Sequence, residues 1–253
     1  MANWLKSYTA LFYVLATLLW VGVVGLSQPA QAFSPKPFHL ELEGFFYRGI
    51  PIQVRGTQTL EQRADGSWRM ILSARGPFVR LTERSDFLWQ SGQLVPLQYH
   101  YELNAPFEHE TRSIQFDASG NEIRAHLNDQ QFVHPYDATW LDPLSYTLLL
   151  KRDLLAGADS SEFVLFDRSR PRTYRFERIR HRYAPQNSIV MSQITPDHGD
   201  IFIVFSAESL LPAHLLRWND GRINYQIKTL QGQYDGLYWY DFPHWPTPRR
   251  FNP

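Results

Sequence analysis

Hydrophobic and polar residues alternate along the chain from Phe38 to Leu127. Phe38, Leu40 and Leu42 interleave with His39, Glu41 and Glu43, and Ile50, Ile52 and Val54 interleave with Pro51, Gln53 and Arg55. Trp68, Met70, Leu72 and Ala74 form one set opposite Arg69, Ser73 and Arg75. Val95, Leu97, Tyr99, Tyr101 and Leu103 form another, and Ile114 and Phe116, then Ile123, Ala125 and Leu127, extend the series. A period of two gives each strand one apolar and one wet face, the pattern of antiparallel sheet. Asp65-Gly66, Ser91-Gly92, Gly120-Asn121 and Asn128-Asp129 fall between the runs and tolerate the positive φ of tight hairpins. This half reads as a meander of about seven or eight strands.

One segment breaks the period. Asp142 can cap a helix and Pro143 suits its first turn, while Leu144, Leu148 and Leu155 lie on one stripe widened by Leu149 and Leu150. Gly157 can close it, so the spacing predicts a helix over 143–156, packed on or across the sheet. Strands resume over 162–167, 172–183, 188–195, 200–206, 213–218 and 222–229, with Asn219-Asp220-Gly221 as a hairpin signal between the last two. Inside 172–183 the apolar parity changes between Tyr174 and Phe176 on one side and Ile179 and Tyr183 on the other, and a bulge near Glu177 reconciles them. There is no internal repeat and no flexible linker. The fold class read from the pattern is mainly β: a single strongly curved antiparallel sheet or partial barrel over residues 33–236, with one substantial helix on or across it.

The N-terminus follows a different logic. Residues 1–32 carry no acid and one lysine, Lys6, followed by an apolar run from Thr9 to Leu26 and then Ser27-Gln28-Pro29-Ala30-Gln31-Ala32. Positive start, apolar middle and small-residue site make a secretory signal, with cleavage expected before Phe33. Retention as an anchor is the alternative, because the run approaches the ~20 residues that span a bilayer. Either way the remainder is expected outside the cytoplasm, in the periplasm or beyond, with no membrane span after cleavage.

Composition narrows the chemistry. Lys plus Arg and Asp plus Glu both number 25, so no global field draws the chain to nucleic acid. Cysteine is absent, which excludes disulfides, a thiol nucleophile and thiolate metal sites. Aromatics reach 15%, which suits a β-rich protein. The motifs of the commonest hydrolases, zinc proteases, nucleotide-binding loops and dinucleotide folds are missing. The sequence therefore reads as that of a non-enzyme with no cofactor and no metal site.

The order of features is nonetheless familiar. Asp142-Pro143-Leu144-Ser145-Tyr146 opens a helix after a strand-rich half, Phe166-Asp167 and Tyr174 follow, and then come Ile201-Phe202-Ile203-Val204-Phe205-Ser206, Leu211-Pro212-Ala213 and Arg217-Trp218. Over most of residues 38–232 this resembles an exported bacterial family, domain of unknown function family 3108, although Phe205 stands where that family has a tryptophan. The resemblance implies no reaction and no functional residue. It implies an architecture similar to periplasmic lipoprotein carriers, whose curved sheets wrap an apolar cavity closed by helical elements.

Several residue groups are candidates for function. His39, His100 and His126 fall on polar faces without metal-ligand spacing, so they read as surface histidines. His134-Pro135-Tyr136-Asp137, Asp197-His198-Gly199-Asp200 and Glu108-His109-Glu110 set a histidine beside carboxylates, as general-base chemistry requires and as polar turns also supply. Seven arginines crowd into 168–182, and Arg175, Arg178, Arg180 and Arg182 are the candidate anion site for a lipid headgroup or an acidic envelope polymer. The competing role for them is to keep a strand edge soluble and unpaired. Leu237, Tyr238, Trp239, Tyr240, Phe242, Trp245 and Phe251 make an aromatic tail over 237–253 that either latches across the barrel or fills a partner's groove. The leading function is binding of an apolar or amphiphilic, lipid-like ligand on a face of Trp68, Met70, Leu72, Leu97, Tyr99 and Tyr101, with the helix as lid. The alternative is an assembly factor that engages another envelope protein through the tail or the basic strand. A glycan hydrolase with paired carboxylates ranks third.

Overall fold

The computed structural model describes residues 33–48, 50–106, 108–180, 184, 186–195, 201–219, 222–234 and 237–239. The expected signal, residues 1–32, lies outside the described residues. Eight strands precede the helix: β1 (Phe38–Arg48), β2 (Ile50–Gln62), β3 (Trp68–Gly76), β4 (Val79–Gln90), β5 (Gln93–Ala105), β6 (Glu108–Asp117), β7 (Glu122–Leu127) and β8 (Gln130–Pro135). A short β9 (Trp140–Leu141) leads into α1 (Tyr146–Leu155). Then come β10 (Ser160–Asp167), β11 (Arg170–Ile179), β12 (Ser188–Thr195), β13 (Ile201–Ser206), β14 (Pro212–Asn219), β15 (Arg222–Tyr234) and β16 (Leu237–Trp239). Among the described residues no helix is long and apolar enough to cross a membrane.

All sixteen strands belong to one sheet, ordered β8-β7-β6-β5-β4-β3-β2-β1-β15-β14-β13-β12-β11-β10-β9, with β16 added to β15. Every pairing is antiparallel except that of β9 with β10. Each half is a meander of neighbouring hairpins, and the pairing of β1 with β15 joins the halves. The two ends of the row, β8 and β9, are consecutive in sequence and only residues 136–139 separate them. A sheet whose ends are tied by so short a connection must curl round on itself. Among the described residues no ladder seals the seam. Side chains close it instead: His134 Nε2 on β8 lies 2.9 Å from the Ser169 carbonyl at the β10–β11 turn, and its ring packs edge-on to Phe166.

Local sequence explains the curl. The turn residues read from the pattern adopt the conformations their chemistry permits, with φ of 82° at Gly66, 79° at Gly92, 54° at Asn121 and 51° at Asn128. Gly56 on β2 allows a close approach to β3: a Cβ there would stand 1.8 Å from the Ser73 carbonyl oxygen.

The apolar phase of most strands faces inward as the pattern predicts, and Trp68, Met70, Leu72 and Ala74 are all buried. Three details differ. In β5, Leu94 and Pro96 point inward, Leu97 has no partner on β4, and Tyr99 and Leu103 resume the buried series. Val95 and Leu97 therefore do not share the face of Tyr99, because a bulge at Leu97 shifts the phase by one. The bulge expected within 172–183 near Glu177 is not in that strand: β11 runs without an extra residue, and the bulge lies on its partner β12 at Ile194, between the pairs Arg175–Thr195 and Phe176–Gln193. The helix begins at Tyr146 rather than at residue 143, after a turn over 143–145. Its predicted stripe also changes: Leu148, Leu149, Leu150, Lys151 and Leu154 are buried, but Leu155 is exposed at the last turn. Gly157 closes the helix as predicted, with φ 81° and its N–H on the Leu154 carbonyl.

Burial on most sides of α1 means that the helix lies within the curl. It shares one hydrophobic cluster with Met70, Tyr99, Ile114, Phe163 and Phe176, and the Tyr146 ring stacks on Phe176 at 5.4 Å. A second, smaller cluster of Ile52, Val54, Ala74, Val79, Leu103 and Ala105 occupies the end of the sheet that carries the β3–β4 turn. Leu81 and half-buried Tyr101 touch both clusters.

Candidate functional site

Between the two apolar clusters the inward phase carries charge. On β4 the inward series runs Val79, Leu81, Glu83, Ser85. Strand register sets Glu83 opposite Tyr101 on β5, and Tyr101 opposite Arg112 on β6. The three side chains thus form one row across neighbouring strands. Tyr99, two pairs further along and on the same face, donates its hydroxyl to Glu83 Oε1 at 2.6 Å. The Arg112 guanidinium sits 4.3 Å from the centre of the Tyr101 ring, within cation–π range.

The rest of the network comes from across the seam. Arg112 donates to Glu110 on its own strand, and its Nη1 reaches Asp167 Oδ1 at 3.2 Å at the end of β10. Asp167 Oδ2 accepts from the Tyr174 hydroxyl at 3.0 Å, and Arg168 Nη2 reaches the second Glu110 oxygen at 3.3 Å. Arg112 therefore bridges two carboxylates from opposite sides of the seam. Its side chain is 12% exposed, and that of Asp167 is 17% exposed. Glu83, Tyr101 and Tyr174 are only half-buried although they face inward, so this belt is less closely packed than the cluster around α1. Deeper in, buried Asp142 accepts the hydroxyl of Ser85 at 2.8 Å, the hydroxyl of Ser145, and the N–H groups of Leu144 and Ser145 at 2.9 and 2.8 Å. Asp142 thus holds the turn ahead of α1 to β4. Arg172, inward on β11, has a buried Nε with no hydrogen-bond partner among the described residues.

Electrostatics follow from this placement. Burial pushes the Glu83 carboxyl up to about 7, against the opposing pull of the Tyr99 hydrogen bond and the Arg112 charge. Burial also raises the Tyr99 hydroxyl well above its ordinary range, helped by the neighbouring Glu83 charge. For Arg112 burial acts against the cation, but the Glu110 and Asp167 carboxylates outweigh it and hold the guanidinium charged. Desolvation raises Asp142 too, opposed by the hydrogen bonds it accepts. The belt is a positively centred network with one carboxyl, Glu83, poised to be neutral or charged near pH 7.

No family model and no curated protein matches the chain. Among solved structures, a β-barrel-like protein of domain of unknown function family 1849 from Brucella abortus is similar in fold. It has a TM-score of 0.48 and 8% identity, over 79% of this chain and 98% of that one. The strand order and the short tie between its two ends by themselves make the fold here β-barrel-like.

The residues singled out from sequence divide into groups. Trp68, Met70, Leu72 and Tyr99 are buried in the cluster that contains α1, so they are core. Tyr101 belongs to the belt, and Leu97 sits at the bulge. Of the arginines, Arg175 lies on the exposed outer phase of β11, Arg178 is exposed near its end although it shares the phase of Phe176 and pairs with buried Met191, and Arg180 is exposed just after β11. Arg175 pairs with Glu177 at 2.7 Å and Arg178 approaches Asp159 at 3.7 Å. Arg182 is outside the described residues, as are Asp197-His198-Gly199-Asp200 and tail residues 240–253. The first three tail residues form β16, against the stretch of β15 beyond its pairing with β14. His39 and His126 are exposed and His100 is half-buried. Among the described residues no group of His, Asp and Glu side chains could hold a metal ion.

Sequence reading missed Glu83, Arg112 and Asp167. The signal was present. Each is a charged residue on the apolar phase of its strand: Glu83 follows Val79 and Leu81, Arg112 precedes Ile114 and Phe116, and Asp167 follows Phe163 and Leu165.

Proposed function

We propose that the chain is an exported, non-catalytic envelope protein that binds an amphiphilic, lipid-like ligand in the half of the barrel nearest the β3–β4 turn. The observation that carries this reading is the half-buried Glu83–Tyr101–Arg112 belt bordered by the apolar side chains of Val54, Leu81 and Leu103. Charge beside apolar side chains on one inner face matches a molecule with a polar head and a hydrocarbon body. The half that contains α1 is occupied by the protein's own side chains, which moves the ligand away from Trp68 and Met70. Arg112 and Arg172 are the inward-facing cations for an anionic head, in place of Arg175, Arg178 and Arg180, which are exposed on or just after β11. The signal pattern of residues 1–32 supports export to the periplasm or beyond, and the motifs around Asp142 and Leu211 support kinship with domain of unknown function family 3108.

The test is native mass spectrometry of protein recovered from the envelope of cells that express the full chain, followed by organic extraction. A reproducible bound mass that extracts as lipid is expected. Leu81→Trp, which fills the apolar side of the belt, should abolish it without loss of β-sheet circular dichroism. A clean ligand-free mass, with no lipid uptake on challenge, overturns the reading.

A further inference from the structure

The β3–β4 turn has two unfavourable features at one residue. Gly76 pairs with Val79, so Pro77 and Phe78 are the two central residues of a tight turn. Phe78 has φ 61°, the left-handed region where a side chain is strained, in the position that glycine or asparagine takes in such turns. Its side chain is also 86% exposed, the most exposed large hydrophobic among the described residues. Neither feature helps this hairpin fold, and a glycine would avoid both.

The strands below the turn add charge. Arg55 on β2 pairs with Arg75 on β3, and Arg75 pairs with Arg80 on β4. All three are exposed and outward-facing, so three guanidinium groups stand side by side across three strands. Like charges directly opposite one another destabilise a sheet. Along the same outer row, Glu43 lies beside Arg55 but is paired with Lys228, and Asn104 and His109 follow Arg80. None of the three arginines has an ion-pair partner among the described residues. The row is therefore an uncompensated cationic stripe leading to a projecting aromatic ring.

We infer that this rim is a docking surface for an anionic lipid bilayer, with Phe78 inserted at the headgroup boundary and Arg55, Arg75 and Arg80 against the lipid phosphates. The charge of the stripe selects an anionic surface, and a lone ring on a projecting turn, with no surrounding apolar groove, suits insertion between headgroups better than seating against a folded protein. This goes beyond the ligand reading, because the surface lies outside the barrel and needs no ligand within it.

The experiment is vesicle flotation with the protein purified from cells that express the full chain. Vesicles of phosphatidylcholine alone are compared with vesicles containing one-third phosphatidylglycerol, at low and high salt. Binding to the anionic vesicles is expected, weakened by salt. Phe78→Gly should weaken it about tenfold, the loss of one inserted aromatic ring. Arg75→Gln and Arg80→Gln should each weaken it about fivefold and reduce the salt dependence. Leu155→Ser, at another exposed apolar residue, should leave binding unchanged. Phe78→Gly relieves strain, so it folds at least as well, and an unchanged melting temperature separates lost docking from lost structure. Equal flotation of wild type and Phe78→Gly overturns the inference. So does absence of flotation combined with rim-dependent capture of an acidic protein. Extraction of bound lipid from the same variants reads the interior site separately, so failure of one reading is distinguishable from failure of the other.

Discussion

Glu83 makes the stability of this fold depend on pH in a way that one substitution can isolate. In the unfolded chain its carboxyl titrates near 4.5, and in the folded protein burial raises it to about 7. A raised folded-state value means that the native protein holds the proton more tightly than the unfolded chain does. The stabilisation is complete below about pH 4.5, declines as pH rises, and is lost by about pH 7. Each tenfold gain in proton affinity corresponds to about 1.4 kcal/mol, so the difference between the two limits is about 3 kcal/mol. That figure is a ceiling, because Glu83 is half-buried and water reaching it weakens the effect of burial. Glu83→Gln removes the titration and keeps an oxygen to accept the Tyr99 hydroxyl. Urea unfolding of both proteins from about pH 4.5 to 7.5 gives the difference curve, in which other carboxylates cancel. Wild type should lose up to about 3 kcal/mol relative to Glu83→Gln across that window, a midpoint shift of about 1 M urea for a domain of this size. Parallel curves refute the reasoning. They would mean that Arg112 and water hold Glu83 ionised, and that the belt is a hydrated ion-pair cluster.

Other consequences of the structure are open to measurement. Asp142→Ala removes an acceptor that serves four donors in a buried turn, and should cost about 3 kcal/mol in chemical denaturation, with Asp142→Asn intermediate. Phe176→Ala empties the place beside Tyr146 and Phe163 and should cost about 4 kcal/mol, whereas Phe176→Leu should recover more than half of that. Gly56→Ala forces a methyl group onto the Ser73 carbonyl and should cost at least about 3 kcal/mol, seen as a fall in melting temperature. Gly66→Ala, with open space around it but φ 82°, should cost only about 1 kcal/mol.

The fold was largely legible because its main determinant is local. Alternation of apolar and polar residues sets which face of each strand is inward, and the glycines and asparagines between runs mark where the chain reverses. These two signals fix Trp68, Met70, Leu72 and Ala74 as one buried set, and the Asp65-Gly66 and Ser91-Gly92 turns as hairpins. The helix was legible for the same reason, since a leucine stripe at helical spacing interrupts the strands. Its first turn was misplaced because Asp142 caps a turn before the helix, an arrangement that depends on Ser85, 57 residues away. Leu97 was misassigned because a bulge in β5 shifts the phase, and a bulge is decided by the partner strand.

The site lies at the opposite limit. Asp167 lies 55 residues from Arg112, and only the curl of the sheet brings β10 to β6 so that the two pair. The sequence alone could flag each as a charge on an apolar phase, but it could not show that Arg112 pairs with both carboxylates, Glu110 and Asp167. Composition and pattern by themselves determined a β-rich, cysteine-free, balanced-charge chain with a helix between two runs of strands. The tertiary structure alone decided that the helix lies within the curl, that Trp68, Met70, Leu72 and Tyr99 of the predicted apolar face are core, and that a charged row lies between two apolar clusters. The reason is range: a strand's inward face is set by its own alternating residues, whereas closure of the sheet and pairing of buried charges are set by residues distant in sequence.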